Sequence, residues 1–83
     1  MDQEDTFGIG RAVDEMRDGK RVARQGWNGK GMFLFLHEVN DASVMTMNYV
    51  AIRAVGDVII PWTCSQSDLL AEDWMVVPWV MGQ

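Results

Sequence analysis

Hydrophobic and polar positions follow a helical period at the start of this chain of 83 residues and shorter, strand-like runs after it. Four apolar residues near the start recur at the spacing of one face of an α-helix. They are Ile9, Ala12, Val13 and Met16. Gly19 follows and can adopt the left-handed conformation that ends a helix. The pattern predicts an amphipathic N-terminal helix, with Thr6 as its cap, that covers one face of a sheet.

The later apolar runs predict five strands, over residues 20–25, 32–39, 49–55, 58–62 and 74–77. The second of these runs is apolar on both faces, which is typical of a central strand. Asn28-Gly29 and Gly56-Asp57 are signals for tight hairpin turns. Residues 40–47 are predicted to form a loop. Pro61 cannot donate to a strand ladder, so the fourth strand either ends there or lies at an edge of the sheet.

A short helix is predicted between Pro61 and Trp74. Ser65 precedes Asp68 by three residues, the spacing of a capping box, in which each side chain bonds the backbone N–H of the other residue. We expect this helix to end near Glu72, because strand-forming residues follow. The segment is therefore a strand–helix–strand corner, and it either serves only the fold or also carries a site.

Short connections between successive strands indicate antiparallel pairing. The predicted fold class is α+β: a twisted antiparallel sheet of about five strands, an N-terminal amphipathic helix, and a short capped helix before the last strand. Residues 1–83 should form a single domain. We expect residues 1–5 to be a disordered tail and residues 79–83 to be an apolar C-terminal tail that docks on a partner subunit.

Composition adds an expectation of self-association. Apolar residues make up 48% of the chain, with four Trp and seven Met, which is more than one small core needs. The net charge of −5 argues against general binding of nucleic acid. Residues 17–30 nevertheless hold five of the seven basic residues and a single acid, Asp18. This basic segment suits either a small anionic ligand or a strand edge that charge protects from aggregation.

Several classes of site are not indicated by the sequence. Cys64 is the one cysteine and His37 the one histidine, so neither an internal disulfide nor a zinc pattern is predicted. We expect no metal, no cofactor and no catalytic residues, since Asp68, Glu72 and Asp73 are accounted for by capping and by helix ends. With no apolar run long enough to span a membrane and no signal peptide, the protein is expected in the cytoplasm.

Two tryptophans lie beside small polar groups. Trp27 is followed by Asn28 and Lys30, and Trp62 precedes a cluster of three polar residues, Ser65, Gln66 and Asp68. An indole face can stack on a base, amides and carboxylates can bond base edges and ribose hydroxyls, and Lys30 or Arg24 can offset phosphate charge. The alternative is that both tryptophans fill the core. The place of Trp27 at a hairpin tip favours exposure to solvent.

Two motifs in combination resemble a known family. Residues 26–31 read GWNGKG and residues 61–74 read PWTCSQSDLLAEDW. Together with residues 9–24, they resemble the phage Thoeris anti-defence family of the second type, from about residue 8 to residue 77. The resemblance implies a non-enzymatic homo-oligomer, typically a tetramer, with pockets between protomers. It also implies that the protein sequesters a cyclic ADP-ribose isomer, with cyclic dinucleotides as further ligands of some relatives.

The resemblance, together with side-chain chemistry, indicates seven ligand-binding residues: Trp27, Asn28, Lys30, Trp62, Ser65, Gln66 and Asp68. The leading hypothesis is a phage protein that captures a nucleotide signal in the host bacterial cytosol and prevents activation of an effector. One alternative is an enzyme that degrades the same signal, with Asp68, Glu72 or His37 as acid or base. Another is a module that inhibits a host protein by direct contact.

Overall fold

A computed structural model of the chain describes residues 5–27, 31–39, 47–54 and 56–78. Within these ranges, five strands form one antiparallel sheet in the order β4-β3-β2-β1-β5. The elements in chain order are α1 (Ile9–Arg17), β1 (Arg21–Arg24), β2 (Phe33–His37), β3 (Tyr49–Arg53), β4 (Ile59–Pro61), α2 (Gln66–Leu70) and β5 (Trp74–Val77). The predicted α+β class is confirmed.

Some predicted features lie outside the described residues. They are the Asn28-Gly29 turn, nearly all of the loop at 40–47, the N-terminal tail apart from Asp5, and the C-terminal tail at 79–83. Every predicted strand has a counterpart in the sheet, and the bounds of the last strand are as predicted. The short helix ends at Leu70, earlier than expected.

The N-terminal helix begins later than the sequence suggested. Gly8 occupies the N-cap position, and no side chain caps the helix, so the prediction of Thr6 as the cap is wrong. The reason is a β-bridge between Phe7 and Trp74, whose backbone N–H groups each donate to the other's carbonyl at 2.9 and 3.0 Å. Because Phe7 is held extended, it cannot be the first helical residue after a cap at Thr6. At the other end Gly19 has a φ of 90°, as predicted for the residue that ends the helix.

The core lies between α1 and one half of the sheet. Its fully buried members come from distant parts of the chain, because β5 crosses back to pair with β1. Residues at 1% exposure or less in this cluster are Ala12, Met16, Val22, Leu34 and Trp74. The helix contacts β1, β2 and β5. The predicted packing of the helix on one face is therefore confirmed.

The opposite half of the sheet ends in β4, which is exposed along its whole length. Val58, Ile59 and Ile60 retain 51%, 57% and 49% of their accessible surface. The turn before them has positive φ at Gly56 and at Asp57, a conformation that aspartate tolerates better than most residues. β4 is thus a short apolar edge strand, as Pro61 indicated.

Prolines occupy outward-facing positions at the two edges of the described sheet. Val58 accepts from Ala54 and Trp62 donates to Val50, so alternation places the backbone of Ile59 and Pro61 on the outer side of β4. On β5 the outer side begins at Trp74, which Phe7 already bonds, and alternation brings it to Pro78. Since proline has no N–H, each edge lacks a donor where a further strand would need one.

Candidate ligand-binding site

Three of the four tryptophans form a cluster beside the core. The ring of Trp74 is fully buried, and the rings of Trp27 and Trp62 meet it edge-to-face with centroid separations of 5.4 and 5.9 Å. Trp27 and Trp62 are half-buried. Such edge-to-face pairs contribute about 0.5–1.5 kcal/mol beyond the burial of their surface. Two partly accessible indoles are therefore held against one that is fixed in the core.

Backbone and side-chain contacts together fix Trp74. The backbone of Trp74 pairs with Arg24 of β1 on one side and with Phe7 on the other. The indole Nε1 donates to the carbonyl oxygen of Asp68 at 3.1 Å, so the one polar atom of the buried ring is satisfied. This bond also ties the ring to α2.

The corner that contains α2 begins with the helix cap that the sequence predicted. The Ser65 hydroxyl accepts from the backbone N–H of Asp68 at 3.1 Å, which confirms Ser65 as the helix cap. The other half of the predicted capping box is not formed in the described hydrogen bonds. The Asp68 carboxylate instead bonds Arg24, as described next. A cap of this kind stabilises by about 1 kcal/mol.

Arg24, at the end of β1, is bonded to two carboxylates at once. Its Nε donates to Asp73 Oδ1 at 2.8 Å, and its Nη1 donates to Asp68 Oδ1 at 2.9 Å. The three side chains retain 22%, 29% and 15% of their accessible surface, so water screens these pairs only in part. The planar guanidinium suits such double bonding, which a lysine ammonium could not reproduce in the same geometry.

The turn before Trp27 is fastened by Asp73. The other carboxylate oxygen, Oδ2, accepts from the backbone N–H of Gly26 at 2.9 Å. A Cβ atom at Gly26 would lie only 3.0 Å from that oxygen, so glycine permits the close approach. Trp27 N–H in turn donates to the carbonyl of Arg24 at 3.1 Å. The position of the Trp27 backbone thus depends on Asp73.

Arg24, Asp68 and Asp73 form a network, the Arg24 network, in which the pKa of each group is shifted toward its charged form. The hydrogen bond from Arg24 is the main cause that lowers the pKa of Asp73. Burial would raise the pKa of Asp68, but hydrogen bonds from Arg24, Ser65 and Trp27 outweigh it, and the pKa lies below its ordinary value. The bond to Asp73, followed by that to Asp68, raises the pKa of Arg24. At neutral pH all three groups are charged.

Of the seven predicted site residues, the structure describes five. Trp27 and Trp62 both contact Trp74, while Ser65 and Asp68 meet at the helix cap. Gln66 is exposed on the first turn of α2. The other two, Asn28 and Lys30, lie outside the described residues. The expectation that a hairpin tip would leave Trp27 facing solvent is corrected, because its ring is half-buried on Trp74 and the core.

The basic segment is not a row of free cations. Lys20 Nζ lies 3.1 Å from Glu15 Oε1, Arg24 is paired twice, and Arg21 is buried with 4% exposure. Nor is it the charged edge of a sheet, since β1 lies between β2 and β5. The prediction of a charged strand edge is therefore wrong. It failed because the pairing of β5 with β1 joins segments that are distant in sequence. Arg17 is exposed and has no ion pair within the described part of the chain.

Two side chains with reactive groups, His37 and Cys64, take no part in the bonds of Arg24 to Asp68 and Asp73. The ring centroids of His37 and Tyr49 are 4.9 Å apart at the end of β2. Cys64 is exposed, and partial desolvation together with the charge of Asp68 raises the pKa of its thiol, which makes it a weak nucleophile at neutral pH. In the part of the chain that the structure describes, no three His, Cys, Asp or Glu residues are grouped to hold a metal ion.

A cleft lies between α1 and the ends of β2 and β3. This cleft has a volume of about 660 Å³, within the range of small-molecule sites. Its lining is mixed: apolar residues from the helix and sheet, and polar side chains at the rim. The lining residues are Val13, Met16, Arg17, Leu36, Glu38, Asn48, Tyr49 and Val50.

Comparison with known proteins identifies the family. A family model described as the Thoeris anti-defense 2-like domain matches residues 7–77. The chain is also similar to Thoeris anti-defense 2 of Bacillus phage SP01, with 37% identity over 83 aligned positions. That alignment covers 83% of this chain and 92% of the relative. The chain belongs to the Thoeris anti-defense 2-like family.

The bounds of the family match have a structural meaning. The match begins at Phe7, which bridges to Trp74, and ends at Val77, the last residue of β5. The Thoeris anti-defense 2-like domain therefore includes every element of the sheet and all of the tryptophan cluster. Among the described residues, no helix is long and apolar enough to cross a membrane.

Sequence reasoning missed three members of the site. Trp74 was assigned only to a strand, Asp73 only to a helix end, and Arg24 to a phosphate contact. A usable signal existed, since an arginine at a strand end and two acids around a short helix can pair if those segments meet. The sequence separations of 49 and 44 residues hid that meeting.

Proposed function

We propose that this protein binds a cyclic nucleotide signal of bacterial immunity, an isomer of cyclic ADP-ribose, and sequesters it without altering it. Sequestration would keep the signal from activating its effector during phage infection, in the cytoplasm of the host. Membership in the Thoeris anti-defense 2-like family supports this role, as does the similarity to a protein of Bacillus phage SP01.

The observation that carries the proposal is the tryptophan cluster. Trp27 and Trp62 each retain accessible surface, yet each is held edge-to-face on the buried Trp74. Rings fixed in this way lose little conformational entropy when they stack on a base. Stacking of this kind is worth about 1–3 kcal/mol per base.

Polar groups around the cluster supply the remaining contacts of the proposed site. Ser65 and Gln66 are exposed at the start of α2, where they can bond ribose hydroxyls or base edges. Asn28 and Lys30, which follow Trp27 in sequence, are proposed as an amide contact and a phosphate contact. Asp68 completes the proposed set. Its carboxylate accepts from Arg24, and we assign any direct ligand contact to its second oxygen.

We propose that a homo-oligomer, the tetramer that the resemblance implies, completes the pocket. The described part of one chain gives the site little positive charge, since Arg24 is matched by two carboxylates. Apolar side chains on β4 and α2 are exposed in the single chain, with Ile59 at 57% and Leu70 at 73%. A second protomer seated there would enclose the ligand next to Trp62. Cyclic dinucleotides are proposed as further ligands in separate pockets.

One assay distinguishes sequestration from degradation. The purified protein is incubated with the cyclic ADP-ribose isomer, denatured, and the supernatant is chromatographed. Recovery of intact ligand, in proportion to protein, is the expected result. Loss of ligand over many turnovers would instead show an enzyme and overturn the proposal. To deprive an effector of its signal, the affinity must be on the order of nanomolar, about −12 kcal/mol.

Variants of the two rings test the site. Trp27→Ala and Trp62→Ala should each abolish the rise in melting temperature that the ligand causes. The matched control is Phe35→Ala, which removes a half-buried ring from the sheet face opposite α1. It should keep the ligand effect while lowering the melting temperature itself. A stable complex with a host protein, and no response to any nucleotide, would favour direct protein inhibition.

A further inference from the structure

The guanidinium group of Arg24 joins the two halves of the candidate site. The first half is the turn of residues 24–27 that carries Trp27, and the second is the corner formed by Ser65 and α2. Arg24 bonds Asp73, the residue before β5, and Asp68 within α2. One side chain therefore sets the spacing between segments that are distant in sequence.

The turn that carries Trp27 depends on this arginine through Asp73. Asp73 Oδ2 accepts from Gly26 N–H at 2.9 Å, while Asp73 Oδ1 accepts from Arg24 Nε at 2.8 Å. If the arginine were absent, the carboxylate would lose the partner that orients it toward Gly26. The indole of Trp27, one residue later, also bonds the Asp68 carboxylate that Arg24 orients, so without the arginine it would lose its fixed orientation on Trp74.

Arg24 is poorly suited to bind phosphate directly. Two carboxylates lie within 2.9 Å of its guanidinium nitrogens, so its charge is already matched by two negative charges. A phosphate brought to the same group would meet both carboxylates at close range. The energetic role of Arg24 therefore differs from the phosphate contact that its sequence position suggested.

We propose that Arg24 is a positioning residue, which fixes the Trp27 indole relative to the α2 corner and so sets the affinity for the nucleotide without contacting it. Pre-organised rings bind more tightly because less conformational freedom is lost on binding. The affinity part of this inference rests on the proposed function. The geometric part concerns the unliganded protein alone.

The experiment compares Arg24→Gln and Arg24→Lys with the matched control Arg53→Gln. Arg53 also bonds a carboxylate, that of Asp57, but it lies on the sheet face opposite α1 and takes no part in the bonds to Asp68 and Asp73. Lysine keeps the charge of Arg24, but its ammonium group cannot hold two carboxylates in the geometry that the planar guanidinium allows. Partial rescue by Arg24→Lys, relative to Arg24→Gln, would separate charge from geometry.

Gly26→Ala provides an independent perturbation that leaves every charge in place. The added Cβ would lie 3.0 Å from Asp73 Oδ2, so the carboxylate must move. This variant should change the same measurements as the Arg24 variants, in the same direction. It also keeps the test decisive if Arg24→Gln fails to fold.

Two measurements are made on each folded variant. Near-ultraviolet circular dichroism of the unliganded protein reports how rigidly the aromatic rings are held, and the edge-to-face pair of Trp27 and Trp74 contributes to this signal. Titration calorimetry with the cyclic ADP-ribose isomer reports affinity. Arg24→Gln should lose much of the near-ultraviolet signal and bind about ten-fold more weakly, with a smaller loss for Arg24→Lys. Arg53→Gln should keep both the signal and the affinity.

The outcomes separate this inference from the proposed function. If wild-type protein does not bind the cyclic ADP-ribose isomer, the proposed function fails, while the near-ultraviolet comparison still decides the geometric role. If the wild type binds, and Arg24→Gln and Gly26→Ala keep its affinity and its spectrum, the positioning role is wrong. A loss of equal size in Arg53→Gln would also overturn it, because the effect would then not be specific to the Arg24 network.

Discussion

The two edges of the sheet differ in how they are held. At the β5 edge, Trp74 is fully buried, bridged by Phe7 and hydrogen-bonded to α2. At the β4 edge, Ile59 and Ile60 remain largely exposed. The helix α1 contacts β5, β1 and β2, which accounts for the difference.

The contrast shows how a domain of this size can hold its candidate site rigid in one half of the sheet and leave an apolar surface exposed in the other. Trp27 belongs to the half of the sheet that α1 covers, here called the covered half, and it is held by the Arg24 network. Trp62 follows directly after β4, so it lies where the covered and uncovered halves meet. We therefore expect mutations in the covered half to change stability, and mutations on β4 to change association.

The largest expected effect is that of Trp74→Ala. Removal of this buried ring should lower the free energy of unfolding by about 3–5 kcal/mol, since both neighbouring indoles lose their packing partner. Trp62→Ala, at a half-buried ring, should cost clearly less. Urea unfolding followed by far-ultraviolet circular dichroism measures both. Equal losses would contradict the difference between the two halves.

Two aliphatic residues, Val22 of β1 and Ile60 of β4, test the difference between the covered half of the sheet and the β4 edge. Val22 is fully buried on β1, and Ile60 retains 49% of its surface on β4, while both belong to the helix side of the sheet. Val22→Ala should cost about 2 kcal/mol, and Ile60→Ala less than about 0.5 kcal/mol. Unfolding is measured at a concentration where the chain is monomeric. A larger cost for Ile60→Ala would show that β4 is packed within one chain.

Acidification should weaken the β5 edge through Asp68 and Asp73. Both have an ordinary pKa of 3.8 when unfolded. Against the effect of burial, Arg24 holds the pKa of Asp68 below that value, and it is the main cause that lowers the pKa of Asp73. The unfolded chain therefore takes up protons first as the pH falls. The stability from these pairs is present above about pH 3.8 and lost as the pH falls through the folded values.

Urea unfolding at a series of acidic pH values measures this loss. The double variant Asp68→Asn/Asp73→Asn is the control, because it has no carboxylates to titrate at these positions. Its stability should depend less on pH than that of the wild type. Identical pH profiles would show that the two ion pairs contribute nothing to stability.

The smallest effect on stability is expected for Ile59→Lys. The side chain is exposed in the single chain, so the free energy of unfolding of the monomer should change by less than about 0.5 kcal/mol. The added charge should nevertheless dissociate the proposed oligomer. Native mass spectrometry measures the oligomeric state. An unchanged oligomer would place the interface elsewhere.

Features governed by neighbours in sequence could be predicted from the sequence. Three such features depend on residues close by in sequence. They are the termination of α1 before Gly19, the Ser65 cap and the bounds of β5. The central position of β2 followed from its apolar character on both faces. Each of these predictions is confirmed by the structure.

Features that depend on the return of β5 to β1 could not be predicted. Thr6 looked like a cap only because the bridge from Phe7 to Trp74 was not visible. Trp27 looked exposed because the buried ring beneath it lies 47 residues later in the chain. Asp68 was correctly placed at a helix start, but the partner of its carboxylate came from β1. In each case, a contact between distant segments decided the outcome.

Pro61 and Pro78 limit the ways in which copies of this protein could join. A sheet that offered a full row of donors at each margin could recruit one chain after another and grow into a filament. Here the missing N–H groups oppose that growth. Assembly through the side chains of the exposed aliphatic residues is therefore favoured over the addition of a further strand at either edge of the described sheet.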